Sequence, residues 1–538
     1  MPLPWCKPLM RNQRDGSLIP VRFGLEIRRQ VSMPIQPVRA SILLPLWAFA
    51  VCAAVEAGDQ PQWGQLNSRN MVSDETGLPD SFDPATGKNV KWSVPLGTQS
   101  YATPIVAQGK VFIGTNNDVP RNPKHRDDSG VLLCLDENDG KLIWQLVAPK
   151  REGGDPYLDW PKTGWVSPPT IEGNRIYTVT NRGEAVCLDI AGMANGNDGP
   201  YTDEGKHIAV AGQSPHEAGP TDADIIWLFN MITGAGIYTH DAQHCSPLVD
   251  GPFLYINTSN GVDNTHRKIR CPNAPSLVVL DKATGRLLAR DDEPIAPNIP
   301  HAAWSSPGMG EVNGQKLIFL GGANGICYAF EPLTAAPPEG QVQKLRRVWS
   351  FDCDPNGPKQ DVHKYQGNKR EGPSQITGMP VFYKNRVYVA AGGDVWQGKR
   401  SAWLKCIDAT KTGDITKTGE LWSYPIPAIC ISTPAIRDGL VYITDCANMV
   451  HCLDAETGKA CWTHDAQAPI WSSCMVADGK VYVGTQRGTF WILAAAREKK
   501  VLCSAALDGA ISGTATVANG VVYVATMRRL YALKKSEK

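Results

Sequence analysis

The sequence predicts an all-β protein, an eight-bladed β-propeller of four-stranded blades in which a strand near the N-terminus completes the last blade. Two repeated elements carry this reading. The first is a turn motif, seen as CLDENDGKLIW at 134–144, VLDKATGRLLA at 279–289, CIDATKTGDITKTGELW at 406–422, HCLDAETGKACW at 451–462 and DPATGKNVKW at 83–92, with diverged copies at 187–227, 327–349 and 492–503. The second precedes it in each unit. A Ser or Thr, one residue and often Pro lead into an apolar strand, a Gly or Asn turn and another apolar strand, starting at Thr103, Ser167, Ser246, Ser306, Thr377, Thr433, Ser472 and Ser512.

Each unit reads as four strands, A to D. Alternation such as Val481-Tyr482-Val483 marks half-buried strands. ADGK, RDGL and EGNR are A–B hairpin turns, whose Gly and Asn accept positive φ. The later units start roughly 40 residues apart, and four-stranded units of that period are the sequence pattern of a propeller. The final unit supplies three strands before the chain ends. NVKWSVPL at 89–96 is the expected fourth, closing the ring and removing an open sheet edge.

The chain has 538 residues and a formal charge of +1, which gives no electrostatic footprint for nucleic acid. Residues 1–57 read as a leader and 58–538 as one propeller domain. Ala40–Ala57 carries an apolar run after an arginine and ends in Val-Glu-Ala, a secretory signal pattern, with Met33 as a plausible start. A periplasmic or secreted monomer is expected. The apolar run is too short to span a bilayer comfortably, so no transmembrane segment is expected. Cys134, Cys187, Cys327, Cys406 and Cys452 take equivalent places in five blades and read as small buried hydrophobes. Spacing leaves disulfides open, with Cys245–Cys271 and Cys446–Cys461 as permitted pairs.

The D-x-x-T-G-K-x-x-W pattern resembles the tryptophan-docking motif of the PQQ-like, or quinoprotein alcohol dehydrogenase-like, eight-bladed propellers. The resemblance covers about residues 60–538. It implies that Trp92, Trp144, Trp227, Trp349, Trp422 and Trp462 pack between adjacent blades, and that Ala289 and Cys503, which replace the tryptophan, leave softer or repacked contacts. It also implies candidate cofactors, PQQ and calcium. Asn260 in NTSNGVD matches a calcium-binding Asn of the family's dehydrogenases, with Asp263 beside it. The family's catalytic Asp has no counterpart in PHAAWSSP at 300–307, where His301 is the candidate base. Its quinone-contacting Lys corresponds to Ala323 in GGANG, with Asn324 as a cofactor-binding candidate. Neither a Cys-Cys pair nor a C-x-x-C-H is present.

Long B–C insertions (116–130, 259–276, 392–403) and D–A insertions (147–165, 352–376) emerge on one face, which is the expected binding face. The C–D insertion 191–223 is expected as a mobile loop on the opposite face. Tyr101, Trp165, Trp304 and Trp471 enter A strands around the channel mouth, where they can stack on a flat ligand or pack between blades. His125, His240, His244, His266, His301, His363 and His464 fall on the loop-rich face. With Asp241 and Asp263 they permit a metal site, but no spacing matches a zinc signature, and they read as scattered solvated loop residues. The expected function is binding of a small molecule, or scaffolding of a protein partner, through this face. The alternative is a divergent PQQ- and calcium-dependent dehydrogenase of alcohols or sugars.

Overall fold

The blades form where the repeat places them. In a computed structural model, which describes residues 58–151 and 156–536, eight sheets each carry four strands of one blade. Blade 1 comprises Ile105–Ala107, Lys110–Asn116, Ser129–Asp136 and Leu142–Pro149. The innermost strands of blades 2 to 7 are Thr170–Glu172, Leu248–Asp250, Gly308–Val312, Val381–Tyr383, Ala435–Arg437 and Met475–Ala477. Blade 8 is Thr516–Ala518, Val521–Ala525 and Arg529–Leu533, with Val90–Pro95 paired antiparallel on its outer edge. The predicted closure by an N-terminal strand is therefore present. Eight apolar clusters lie one at each blade interface, so the core is itself a ring. The signal pattern at 40–57 lies outside the described residues. Among the described residues no helix is long and apolar enough to cross a membrane.

The turn motif has a physical reason at each position. Asp281 Oδ1 accepts from the amides of Ala283 and Thr284 and from the Thr284 hydroxyl, and Asp454 does the same for Glu456 and Thr457. Gly285 and Gly458 sit at φ 74° and 69°, and a Cβ on either would stand 2.5 Å from the tryptophan of the preceding blade. That tryptophan then donates its indole N–H to the next blade's C–D turn. Trp92 reaches Glu137 O at 3.0 Å, Trp144 Ile190 O at 3.0 Å, Trp227 Lys282 O at 3.0 Å, Trp422 Ala455 O at 3.1 Å and Trp462 Ala496 O at 2.8 Å. Trp349 is buried without an acceptor among the described residues. The longer turn of blade 5 instead lays Gly413–Asp414 in parallel beside Trp349 and Ser350. Where Ala289 replaces the tryptophan, Gln343–Lys344 adds a parallel fifth strand. Where Cys503 replaces it, Leu78 and Phe82 of the N-terminal segment fill the interface between blades 7 and 8, with Phe82 edge-on to Phe490 at 5.9 Å.

The Ser/Thr before each A strand also has a structural part. Thr433 Oγ1 accepts from Met379 N, Ser473 Oγ from Thr433 N, Thr514 Oγ1 from Ser473 N, and Thr103 Oγ1 from Thr514 N. These hydroxyls stitch consecutive blades around the channel.

Residues 58–75 form a plug that no periodicity announces. A strands leave unpaired backbone groups facing the channel, and this segment meets all eight blades. Gln60 exchanges both hydrogen bonds with Val106, and Pro61 O accepts from Ile171 N. Arg69 is fully buried and donates to Ser246 O, Pro247 O, Pro307 O and Trp63 O. Asn67 O and Ser68 O accept from Met309 N and Phe382 N. Asn70 pairs both ways with Ile436, Met71 O accepts from Val476 N, and Glu75 takes the amides of Asn519 and Gly520. Most of these partners are A-strand residues or the residues leading into them, and Asn519 and Gly520 are an A–B turn, so the plug runs along the inner sheet edges.

The insertion 191–223 corrects the expectation of a loop on the opposite face. It folds onto blade 2, where Glu204 and His207 are buried. His207 Nε2 lies 3.1 Å from Glu184. Lys124, in the B–C insertion of blade 1, binds Asp222 and Glu217 O, which ties the end of 191–223 to the loop-rich side. Burial works to raise the Glu184 carboxyl, but His207 and Arg182 outweigh it and hold the carboxyl well below the usual range. Burial holds the His207 imidazole below its ordinary value.

Neither permitted disulfide forms, and the described cysteines are all free thiols. The five equivalent blade cysteines are buried, and burial pushes the Cys187, Cys406 and Cys452 thiols up to about 12.

Three outcomes are expected. Arg69→Met leaves buried carbonyls without a donor and should lower unfolding stability by at least about 3 kcal/mol; a loss below about 1 kcal/mol in denaturant titration would show that the plug carries little of the ring's stability. In native protein a maleimide should label the half-exposed Cys271, Cys446, Cys461 and Cys503 first, and the blade thiols only with denaturant. Glu184 and His207 both have lowered folded-state pKa values, so their contribution is complete above about pH 6.5 and declines as pH falls. Hydrogen exchange in 191–223 should therefore rise between about pH 6.5 and 4 while blades 4 to 6 stay protected; uniform exchange across the chain would contradict this.

Candidate functional site

The segments leading into the A strands surround the channel at its loop-rich end, and they line a cavity of about 540 Å³. Its walls are Tyr101 before blade 1, Trp304 before blade 4 and Trp471 before blade 7. Tyr157 and Trp160 of the 147–165 insertion and Trp396 of the 392–403 insertion add to them, with Trp63 of the plug segment. Trp304 is fixed by its indole N–H, which donates to Ala242 O at 3.1 Å, and Trp396 stands edge-on to Trp471 at 5.2 Å. Among the described residues no Lys or Arg lines the cavity.

Two tryptophans named from sequence, Trp304 and Trp471, face this space. Trp165 does not: it is fully buried in the interface of blades 1 and 2, with its indole N–H shared between Ser167 O and Thr178 Oγ1. Asn324 is also away from the cavity, donating to the Tyr328 hydroxyl at 2.8 Å.

Three histidines converge on one side of the cavity. His240 precedes blade 3, His266 lies in the 259–276 insertion and His301 precedes blade 4, and a donor atom from each lies within 4.8 Å of the others. His240 and His301 are buried and His266 half-buried, which corrects the reading of these three as solvated loop residues. The remaining histidines stand apart or aside. His125 packs against His216, His464 against Trp491, and His244 against Trp304 on the cavity wall. His363 Nε2 donates to Ile299 O.

The electrostatics follow from burial and two carboxylates. Burial, reinforced by His301 and His266, pushes His240 down to about 2. Burial pushes the Asp241 carboxyl up to about 6. Burial also works downward on His301, but Asp394, 3.1 Å from its Nδ1, and Asp241, 3.6 Å from its Nε2, outweigh it and hold this imidazole above its ordinary value. Asp394 is the residue the sequence did not single out. It comes from GGDVW in blade 5, and its other oxygen accepts the amides of Trp396 and Gln397, tying the cavity wall to His301. PHAAWSSP contains no carboxylate, and the two beside His301 come from other segments of the chain.

The calcium candidates do not converge into an oxygen cage. Asn260 is fully buried, with its Oδ1 accepting from Tyr238 N at 3.0 Å and its Nδ2 donating to Cys271 O. Asp263 Oδ1 caps its own turn through the amide and hydroxyl of Thr265. Calcium requires six to eight oxygens, whereas the donors gathered here are chiefly imidazoles. The cavity also offers no cation from lysine or arginine for the carboxylates of PQQ. These residues do not fit that cofactor pair.

The fold and the repeat define an eight-bladed β-propeller of four-stranded blades, and its turn motif resembles that of the PQQ-like propellers. A family model described as outer membrane protein assembly factor BamB matches residues 414–501 and 447–537. The quinohemoprotein alcohol dehydrogenase ADH-IIG of Pseudomonas putida is 23% identical over 481 residues, 82% of this chain and 60% of that protein. A quinohemoprotein alcohol dehydrogenase of Comamonas testosteroni is 27% identical over 146 residues, 24% of this chain and 21% of that protein. The chain therefore spans less than two thirds of the length of these relatives. Among solved structures, BamB from Moraxella catarrhalis aligns with a TM-score of 0.50 at 13% identity, over 82% of this chain and 98% of that one. A europium-containing methanol dehydrogenase aligns at 0.54 and 13% identity, over 88% and 90%. Both structural likenesses concern the fold.

Proposed function

We propose that this is an exported binding propeller that takes a flat, largely apolar small molecule in the cavity at its loop-rich face. The observation that carries this is the aromatic wall. Seven aromatic side chains from blade approaches, two insertions and the plug segment surround one cavity of about 540 Å³, a volume within the roughly 300–1,000 Å³ typical of small-molecule sites. Stacking on Trp304 and Trp471 favours a planar ligand, and the scarcity of charge on the wall favours an apolar one. The signal pattern at 40–57 supports export. The names of the quinohemoprotein relatives support a second reading, quinone-dependent alcohol oxidation, with His301 as a base between Asp394 and Asp241. The likeness to BamB supports protein scaffolding, for which the exposed Trp160 and Trp396 at the rim are the natural contacts.

The readings part in solution. An uncharged planar quinone should quench tryptophan fluorescence and saturate at one equivalent. Trp304→Ala or Trp471→Ala should each weaken it about tenfold. Stoichiometric uptake of PQQ with calcium, followed by dye-linked oxidation of an alcohol, would replace this reading with the oxidoreductase. No quenching by any planar compound tested, with a protein partner captured through the rim, would replace it with the scaffold.

A further inference from the structure

We infer that His240, His266, His301 and Asp241 form a binding site for a divalent transition-metal ion of the imidazole-preferring kind, such as Zn²⁺, open to the central cavity. The spacing of the donors carries this. Four ligands about 2.05 Å from a tetrahedral ion stand about 3.3 Å from one another. His240 Nε2 lies 3.1 Å from His266 Nε2 and 3.6 Å from Asp241 Oδ1, and His301 Nε2 lies 3.6 Å from Asp241 Oδ2. The three imidazole donors lie within 4.8 Å of one another, and Asp241 approaches two of them through different oxygens, so a small adjustment brings the imidazoles and one carboxylate oxygen around an ion.

The far side of each buried imidazole is held as a metal ligand requires. His240 Nδ1 lies 2.8 Å from Val262 O, and a carbonyl can only accept, so the proton is on Nδ1 and the Nε2 lone pair faces the cluster. His301 Nδ1 faces Asp394, itself fixed by two backbone amides, which leaves Nε2 for the ion. Asp241 and His266 hold φ values of 62° and 57°, in the left-handed region that Asp and His enter more readily than most residues. Donor type selects the metal: three imidazoles and one carboxylate suit zinc, copper or iron over calcium or magnesium. Asp241, His266 and His301 all line the cavity, while His240 anchors the cluster from behind.

The site borders the cavity of the organic ligand proposed above but does not rest on that reading, and its test uses the full chain with the metal alone. Protein stripped by a chelator is titrated with Zn²⁺ by calorimetry, and with Co²⁺ by visible absorption. One equivalent should bind, and Co²⁺ should give the strong d–d bands of a four-coordinate nitrogen and oxygen site. His266→Ala and His301→Ala should each weaken binding more than about 100-fold, and Asp394→Asn, which acts through His301, about 10–100-fold. His464→Ala, remote from the cluster, should leave affinity unchanged. His266 is half-buried, so its alanine variant tests the site even where His301→Ala fails to fold. Absence of stoichiometric binding, or binding that survives His266→Ala in folded protein, would overturn the assignment. Fluorescence quenching by the quinone, measured on the stripped protein, reports the cavity separately.

Discussion

Every blade of a propeller leaves one sheet edge facing the channel, and those unpaired backbone groups must be satisfied. Here the duty falls on a single extended segment. Residues 58–75 touch all eight blades, and the buried Arg69 guanidinium alone gathers carbonyls from blades 3 and 4. The segment also gives Trp63 to the cavity. The site is therefore built on the same chain that satisfies the ring's inner edge, and the loops above need only supply walls.

The outer half of each blade is organised by a different contact. An indole N–H reaches across to the next blade's turn, and the turn can receive it only because an aspartate folds it and a glycine leaves room for the ring. Where this contact is missing the chain substitutes another element, a fifth strand at Ala289 and Phe82 near Cys503. Both repairs come from outside the blade that needs them, which keeps the interfaces apolar and continuous around the ring.

These two layers differ in how far the sequence reveals them. The blades, their order and the N-terminal closing strand were legible because each depends on local alternation and a short turn motif. The buried blade cysteines were legible because their siblings occupy the same register. Trp304 and Trp471 were placed at the channel mouth by the same register, but register does not fix a rotamer, and Trp165 turns into the blade interface. The plug was illegible, since a segment that pairs with eight different edges has no period of its own. The histidine cluster was illegible for a related reason. His240, His266, His301 and Asp394 lie on four separate segments, and only the packing of blades 3 to 5 brings them together. HDAQH and GGDVW hold the one available hint, carboxylates in the approach and insertion segments that rim the channel.

The closing strand and the plug both precede blade 1, yet Val90–Pro95 pairs with Arg529–Leu533 and Glu75 binds Asn519 and Gly520. Contacts between such distant parts of a chain are slow to form. During synthesis the plug segment has no complete docking surface until the last blade follows it. The inner sheet edges stay without a complete plug for that whole interval. The molecule's vulnerability thus belongs to its assembly: aggregation through open sheet edges competes with the step that joins the plug and the closing strand to blade 8.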